Sequence, residues 1–270
     1  MRFPAVLAAA LLLAAHPATA QPASPPADAA PAPDDTIPVP PVPPRISNGD
    51  QYDACMDMLA DDPAGADAMA TAWRNGGDAA TQCHALAQIE LGNPAEGADL
   101  LTNLANTTAA EPAARAELYG QAAQAWTMAG DTTRAYDAAT HAITLAPEDP
   151  DLRVTHAIAA LAVHQDQAAE DDLTEALEAD PKRGDALVLR ATARRHLGRL
   201  QDAAVDIAKA LALDPDDADA LLERGILRQR EGNLDGARAD WQRAEDLSPD
   251  SATGDLAAQN LALLEAGPRQ

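Results

Sequence analysis

Apolar positions return along this chain at helical spacing. Ala135, Ala139 and Ala142 stand four and then three residues apart, and the same step recurs as Ala169, Leu173, Ala176, as Ala203, Ile207, Ala210 and as Ala237, Trp241, Ala244. An i, i+4, i+7 set lies on one face of an α-helix, so each phrase predicts an amphipathic helix with a narrow seam of mostly small residues. The phrases themselves recur every 34 residues. Pro147, Pro181, Pro215 and Pro249 close the similar segments ITLAP, LEADP, LALDP and EDLSP. Taking each Pro as position 32 aligns four units over 116–149, 150–183, 184–217 and 218–251. Position eight is then Ala123, Ala157, Ala191 and Gly225, always small, and position 15 is Gly130, His164, Gly198 and Gly232, a helix-ending column with one departure. Each unit reads as two helices of about a dozen residues, too short to be stable alone in water. Stacking neighbouring units buries what one pair leaves exposed.

The pattern extends beyond the four regular units. Residues 78–111 read as a divergent unit with Ala85 as its small residue, Gly92 at the turn, and Leu101 and Leu104 inside. A four-residue insertion follows around Asn106, Thr107 and Thr108, since Ala85 and Ala123 are 38 rather than 34 apart. Residues 50–77 read as a degenerate pair, with helices over 51–60 and 64–75 closed by Gly76 and Gly77. Residues 253–265 (TGDLAAQNLALLE) predict a single helix that covers the last apolar face. About thirteen helices are expected between residues 48 and 267.

Small residues at positions 8, 20 and 27, a knob at 24 (Ala139, Leu173, Ile207, Trp241) and Pro at 32 resemble the tetratricopeptide repeat. The resemblance implies an all-α, right-handed superhelical solenoid of helix–turn–helix repeats. Two family positions depart from the pattern. Position four reads Tyr119, Arg153, Leu187 and Leu221 where the family has Trp, and position eleven reads Trp126, Ala160, Arg194 and Arg228 where it has Tyr. The resemblance also implies a concave face lined by first-helix residues and suited to peptides. At positions five and nine that face would present Gly120 and Gln124, Val154 and Ile158, Val188 and Thr192, Leu222 and Ile226. The Lys and Asn that clamp C-terminal carboxylates in some members are missing there. The expected groove is therefore apolar, and Gln124, Val154, Ile158, Val188, Thr192, Leu222 and Ile226 are the candidate partner-binding residues.

The N-terminal residues follow another pattern. Arg2, the apolar run AVLAAALLLAA over 5–15 and the A-x-A sequence at Ala18–Ala20 predict a secretory signal peptide over residues 1–20. Eleven apolar residues are too few to span a bilayer core of roughly 30 Å. Ten prolines between residues 21 and 47 forbid helix or sheet and predict a disordered tail. Export by the general secretory route to a periplasm is the expected destination.

Composition narrows the function. Nineteen basic residues stand against 43 acidic ones, a net charge of −24, which excludes the basic footprint of a nucleic-acid binder. The acidity is uneven. Residues 48–181 hold 24 acids and four basic residues, whereas residues 182–243 hold 11 and 12. An acidic N-terminal half of this kind could attract a basic partner or merely be well solvated. The acids at position two of the units, Glu117, Asp151, Asp185 and Asp219, also suit helix N-termini.

Cys55 and Cys83 fall in the first helices of successive units, and an exported chain with an even count favours a disulfide between them. Position seven faces position 23 in three units, pairing His156 with Asp172, Arg190 with Asp206 and Arg224 with Asp240, 16 residues apart each time. These read as structural ion pairs that fix how two helices sit, of little energetic weight where exposed. Catalytic patterns are missing. The histidines lack metal-ligand spacing, Asp214-Pro215-Asp216-Asp217 lacks the Gly and Glu of a calcium loop, and no phosphate-binding or nucleophile-elbow motif occurs. Neither cofactor, metal nor catalysis is expected. The expected role is a periplasmic scaffold or adaptor for one or more envelope proteins. A holdase-type chaperone for exported proteins and a self-assembling structural protein are the alternatives.

Overall fold

The computed structural model describes residues 44–266. The expected signal peptide and all but the last residues of the proline-rich segment lie outside the described residues, as does Gly267. Thirteen α-helices follow one another, and no strand occurs among the described residues. They are α1 (Asp50–Met58), α2 (Pro63–Ala72), α3 (Gly77–Glu90), α4 (Pro94–Thr107), α5 (Pro112–Met128), α6 (Thr132–Leu145) and α7 (Pro150–Ala162). Then come α8 (Asp166–Ala179), α9 (Gly184–His196), α10 (Leu200–Leu213), α11 (Ala218–Arg230), α12 (Leu234–Leu247) and α13 (Ala252–Ala266).

Each helix packs on its sequence neighbours, and the odd-numbered helices also touch in succession: α1 with α3, α5 with α7, and on through α9, α11 and α13, with α3 reaching α5 through the Gln82–Gln121 bond. That pattern makes a solenoid with one face built from the first helices of its repeats. Local chemistry sets the boundaries. Pro occupies the first turn of α2, α4, α5 and α7, where its missing N–H is no loss. Asp62, Asp131, Asp149, Asp217 and Asn233 accept backbone N–H bonds at helix starts. At position 15 the chain is left-handed in every regular unit, with φ between 77° and 82° for the three glycines and 60° for His164. His164 thus makes the same turn without glycine's freedom, and Gln165 N–H still closes on Ala160 O at 2.8 Å.

The insertion after α4 does not form a long loop. Helix α5 begins at Pro112, four residues before the expected unit start, and runs for 17 residues. The added turn is secured by Arg115, whose Nε donates to Ala105 O at 3.0 Å, and by Pro112 at the helix start. Likewise Gly77 opens α3 in the left-handed region rather than closing the degenerate pair.

The core is made of the repeat columns. Ala123, Ala157 and Ala191, with the position-20 and position-27 alanines, are sealed from solvent. The knob varies and its opposite number adjusts. In the fourth unit Trp241 fills position 24 and donates its indole N–H to Leu222 O at 3.2 Å. A Cβ on Gly225 would collide with that indole nitrogen, so the bulk at position 24 requires the glycine at position eight. In the first unit position 24 is the small Ala139 and the bulk sits instead at position eleven, where Trp126 is buried in the same core cluster.

Candidate partner-binding groove

The first helices carry two different surfaces. At the N-terminal end a hydrogen-bond relay crosses α1, α3 and α5: Tyr52 Oη donates to Gln82 Oε1 at 2.7 Å, and Gln82 Nε2 donates to Gln121 Oε1 at 3.0 Å. Gln121 Nε2 in turn reaches Glu117 Oε1 at 3.5 Å. Burial holds the Glu117 carboxyl above the usual carboxylate range, and the nearby charges of Asp149 and Asp151 push it the same way against the Gln121 bond. Beside this relay Cys55 and Cys83 are joined, with Cα atoms 6.2 Å apart, and link α1 to α3 in a fully buried position among Ala66, Ala70 and Ala87.

The other surface is a cavity of about 380 Å³ between α9 and α11. Val188, Leu189 and Leu222 give its apolar floor, Thr192 its one hydroxyl, and Asp185, Asp217, Asp219 and Glu223 its charged wall. Each acid has an identifiable local role. Asp185 accepts from Arg183 Nε at 3.1 and 3.2 Å, and Glu223 is gripped by Arg195 through two bonds of 2.7 and 2.9 Å. Asp217 caps α11 by accepting from Ala220 N at 3.0 Å, and Asp219 accepts from Thr253 Oγ1. No cation pairs with Asp217 or Asp219 among the described residues. The cavity is therefore apolar at its base and anionic at its edge.

The seven candidate residues divide accordingly. Val188, Thr192 and Leu222 line this cavity, whereas Gln124, Val154, Ile158 and Ile226 do not. Position five turns inward more than an open groove requires: Val154, Val188 and Leu222 are only 4%, 7% and 8% exposed. Position nine is the open one, with Gln124 exposed, Ile158 39% exposed, and Thr192 and Ile226 intermediate. The expectation of a purely apolar groove is thus corrected by the acids on its wall. The signal for two of them was present in the recurring acid at position two, which also serves the helix N-terminus. The anionic site also falls within the charge-balanced segment, not the acidic half. Two arginines of that segment, Arg183 and Arg195, neutralise Asp185 and Glu223 on this wall, while Arg190, Arg194, Arg199, Arg224 and Arg228 are committed to ion pairs inside and between repeats.

Those ion pairs are not the exposed contacts that carry little energy. Asp206 is fully buried, receives two bonds from Arg190 at 2.9 Å and a third from Arg194 Nη1 at 2.7 Å. Asp240 is held the same way by Arg224 at 3.0 and 2.7 Å and by Arg228 at 2.6 Å. Asp172 takes His156 Nδ1 at 2.5 Å and Arg153 at 3.2 Å. In units three and four, Arg194 and Arg228 therefore stand at position eleven as second ligands to the buried carboxylate. Among the described residues no group of three or more acidic, His or Cys side chains is placed to hold a metal ion, and no helix is long and apolar enough to cross a membrane.

No family model and no curated protein matches the sequence. Solved structures do match in shape. Cut9, in the Cut9–Hcn1 hetero-tetramer of the APC/C, superposes with a TM-score of 0.62 at 15% identity over 78% of this chain, which spans only 42% of that one. YrrB, described as a TPR protein with an unusual peptide-binding site, gives 0.53 at 19% identity over 73% of this chain and 98% of its own. MamA from Desulfovibrio magneticus RS-1 gives 0.53 at 17% identity over 76% and 99%. The chain has the fold of a tetratricopeptide-repeat solenoid.

Proposed function

We propose that this protein is a scaffold or adaptor that acts in the periplasm and holds a polypeptide segment of an envelope protein in the groove between α9 and α11. The observation that carries this reading is the cavity itself. Val188, Leu189 and Leu222 can take an apolar side chain, and the unpaired carboxylates of Asp217 and Asp219 favour a Lys or Arg beside it. The peptide-binding site named for YrrB, a protein of the same fold, supports the use of such a surface. The N-terminal sequence pattern supports the location, since a charged residue, an apolar run and A-x-A suit an exported chain.

A photo-crosslinking residue at Thr192 tests the reading in the cell envelope, with Val205 on α10, 53% exposed, as the control position. A discrete crosslinked protein at Thr192 and none at Val205 is the expected outcome. Equal capture at both positions, or a ladder of many unrelated polypeptides at Thr192, overturns it; the ladder would instead indicate a holdase.

A further inference from the structure

A second cavity, of about 220 Å³, lies between α4 and α6 over the aromatic side chains of Tyr119 and Trp126 on α5. Comparison of the repeats shows what is missing from it. Position 25 is threonine in three successive units: Thr102, Thr140 and Thr174, allowing for the insertion. In two cases the position-seven basic side chain of the next unit, His156 or Arg190, fills the space and meets the hydroxyl. His156 Nε2 lies 3.2 Å from Thr140 Oγ1, and Arg190 Nη1 donates to Thr174 Oγ1 at 3.3 Å. Both side chains also bind the position-23 carboxylate, Asp172 or Asp206. Before Thr102 the corresponding residues are Ala122 and Ala138, so neither cation nor carboxylate is present.

The consequence is visible at Thr102. Eight other helical threonines (71, 81, 107, 127, 140, 144, 155 and 192) return their hydroxyl to the carbonyl four residues back. Thr102 does not, and its Oγ1 is the buried side-chain polar atom left without any partner among the described residues. A buried hydroxyl in that state costs about 1–3 kcal/mol. Asp137, on the same cavity wall, makes no hydrogen bond or ion pair among the described residues. The wall already accommodates one guanidinium: Arg134 lies over the Trp126 ring, 3.5 Å from its centre, with its charge engaged by Asp131 and Asp99. Arg134 remains at the edge and makes no bond to Thr102.

We propose that this cavity binds a guanidinium cation supplied from outside the chain, which takes the place held by Arg190 and His156 in the later repeats. The ligand would donate to Asp137 and lie against Tyr119, and the Thr102 hydroxyl, sealed from solvent as it stands, would become a further acceptor on turning about χ1 into the cavity. The cation could come from a free small molecule or from an arginine side chain of another protein. The inference rests on the repeat register and not on the groove between α9 and α11, so either can fail alone.

The test is an NMR titration of the full chain after export, following the Trp126 indole N–H, assigned by Trp126→Phe. The probes are N-ethylguanidinium, the neutral isostere N-ethylurea, and a blocked Gly-Arg-Gly peptide. A saturable shift with N-ethylguanidinium and none with N-ethylurea is expected. Saturation by the peptide as well assigns the site to a protein's arginine; saturation by N-ethylguanidinium alone assigns it to a small molecule. Ala122→Arg should fill the cavity and abolish the shift, and Asp137→Asn should weaken binding roughly tenfold through loss of a charge-assisted bond. Asp137→Asn alone decides the matter if Ala122→Arg does not fold. The proposal is overturned if no cationic probe saturates, as for a cavity holding only water, if N-ethylurea acts equally, or if Asp137→Asn binds as tightly as the parent.

Discussion

Removing one member of the buried Arg190–Asp206–Arg194 cluster should cost far more than removing two. In Arg190→Met the carboxylate of Asp206, with no solvent exposure, keeps a single strong bond from Arg194 and loses two of 2.9 Å. In Asp206→Leu, Arg190 keeps only its 3.3 Å bond to Thr174, while Arg194 still has Glu170 at 3.0 Å. Breaking a buried pair on one side typically costs about 3–5 kcal/mol, and the surviving Arg194 contact places Arg190→Met near the lower end, at about 3 kcal/mol. Replacing both partners removes the desolvation of the charges together with their attraction, so Arg190→Met/Asp206→Leu should lie within about 1 kcal/mol of the parent. The assay is native-state hydrogen exchange of the α9 and α10 amides, because a repeat array need not unfold as one unit. Single variants costing under about 1 kcal/mol, or a double variant equal to the sum of the two, would refute the claim that the cluster is a coupled buried unit.

Three further outcomes follow from separate parts of the structure. Gly225→Ala should lower stability by about 1–3 kcal/mol because its methyl meets the Trp241 indole, and Trp241→Leu in the same chain should relieve that clash, both read from thermal melts. Opening the bridge with Cys55→Ala/Cys83→Ala should destabilise the N-terminal pair by about 3 kcal/mol in the loop-entropy estimate for a 28-residue interval, seen as lost exchange protection in α1 and α2 but not in α9–α12. Glu117→Gln tests the linkage. A carboxyl whose folded pKa is raised contributes stability below its unfolded pKa, and this is lost as pH rises through the folded value. The variant should therefore melt like the parent below about pH 4 and above it at neutral pH; equal melting at both would contradict a raised pKa.

The architecture was legible because it is written in columns. The i, i+4, i+7 alanines and the 34-residue recurrence of Pro specify helix faces and their stacking, whatever the remaining residues do. The disulfide and the position 7–23 pairs were legible by the same register. What the columns could not convey was depth. Position five carries apolar residues that resemble a groove lining, yet Val154 is buried, because inter-repeat packing and partner contact use the same residue types. Two acids of the groove, Asp185 and Asp219, carry only a helix-start signal in the sequence, and Asp217 does cap a helix. One residue can serve both roles, and sequence shows only the residue. The added turn of α5 was hidden for a related reason: an insertion is visible as a count, but its conformation depends on Pro112 and on the Arg115 bond to Ala105.

The central claim is that the groove between α9 and α11 selects a segment by an apolar contact beside a positive charge. The most direct measurement is the affinity of the protein captured at Thr192 for the parent chain and for Asp217→Asn/Asp219→Asn. Asparagine keeps the helix cap at position 217 and the acceptor for Thr253 while removing both charges. The account predicts at least about a tenfold loss of affinity and a weaker dependence on salt. Unchanged affinity with unchanged salt dependence would contradict it.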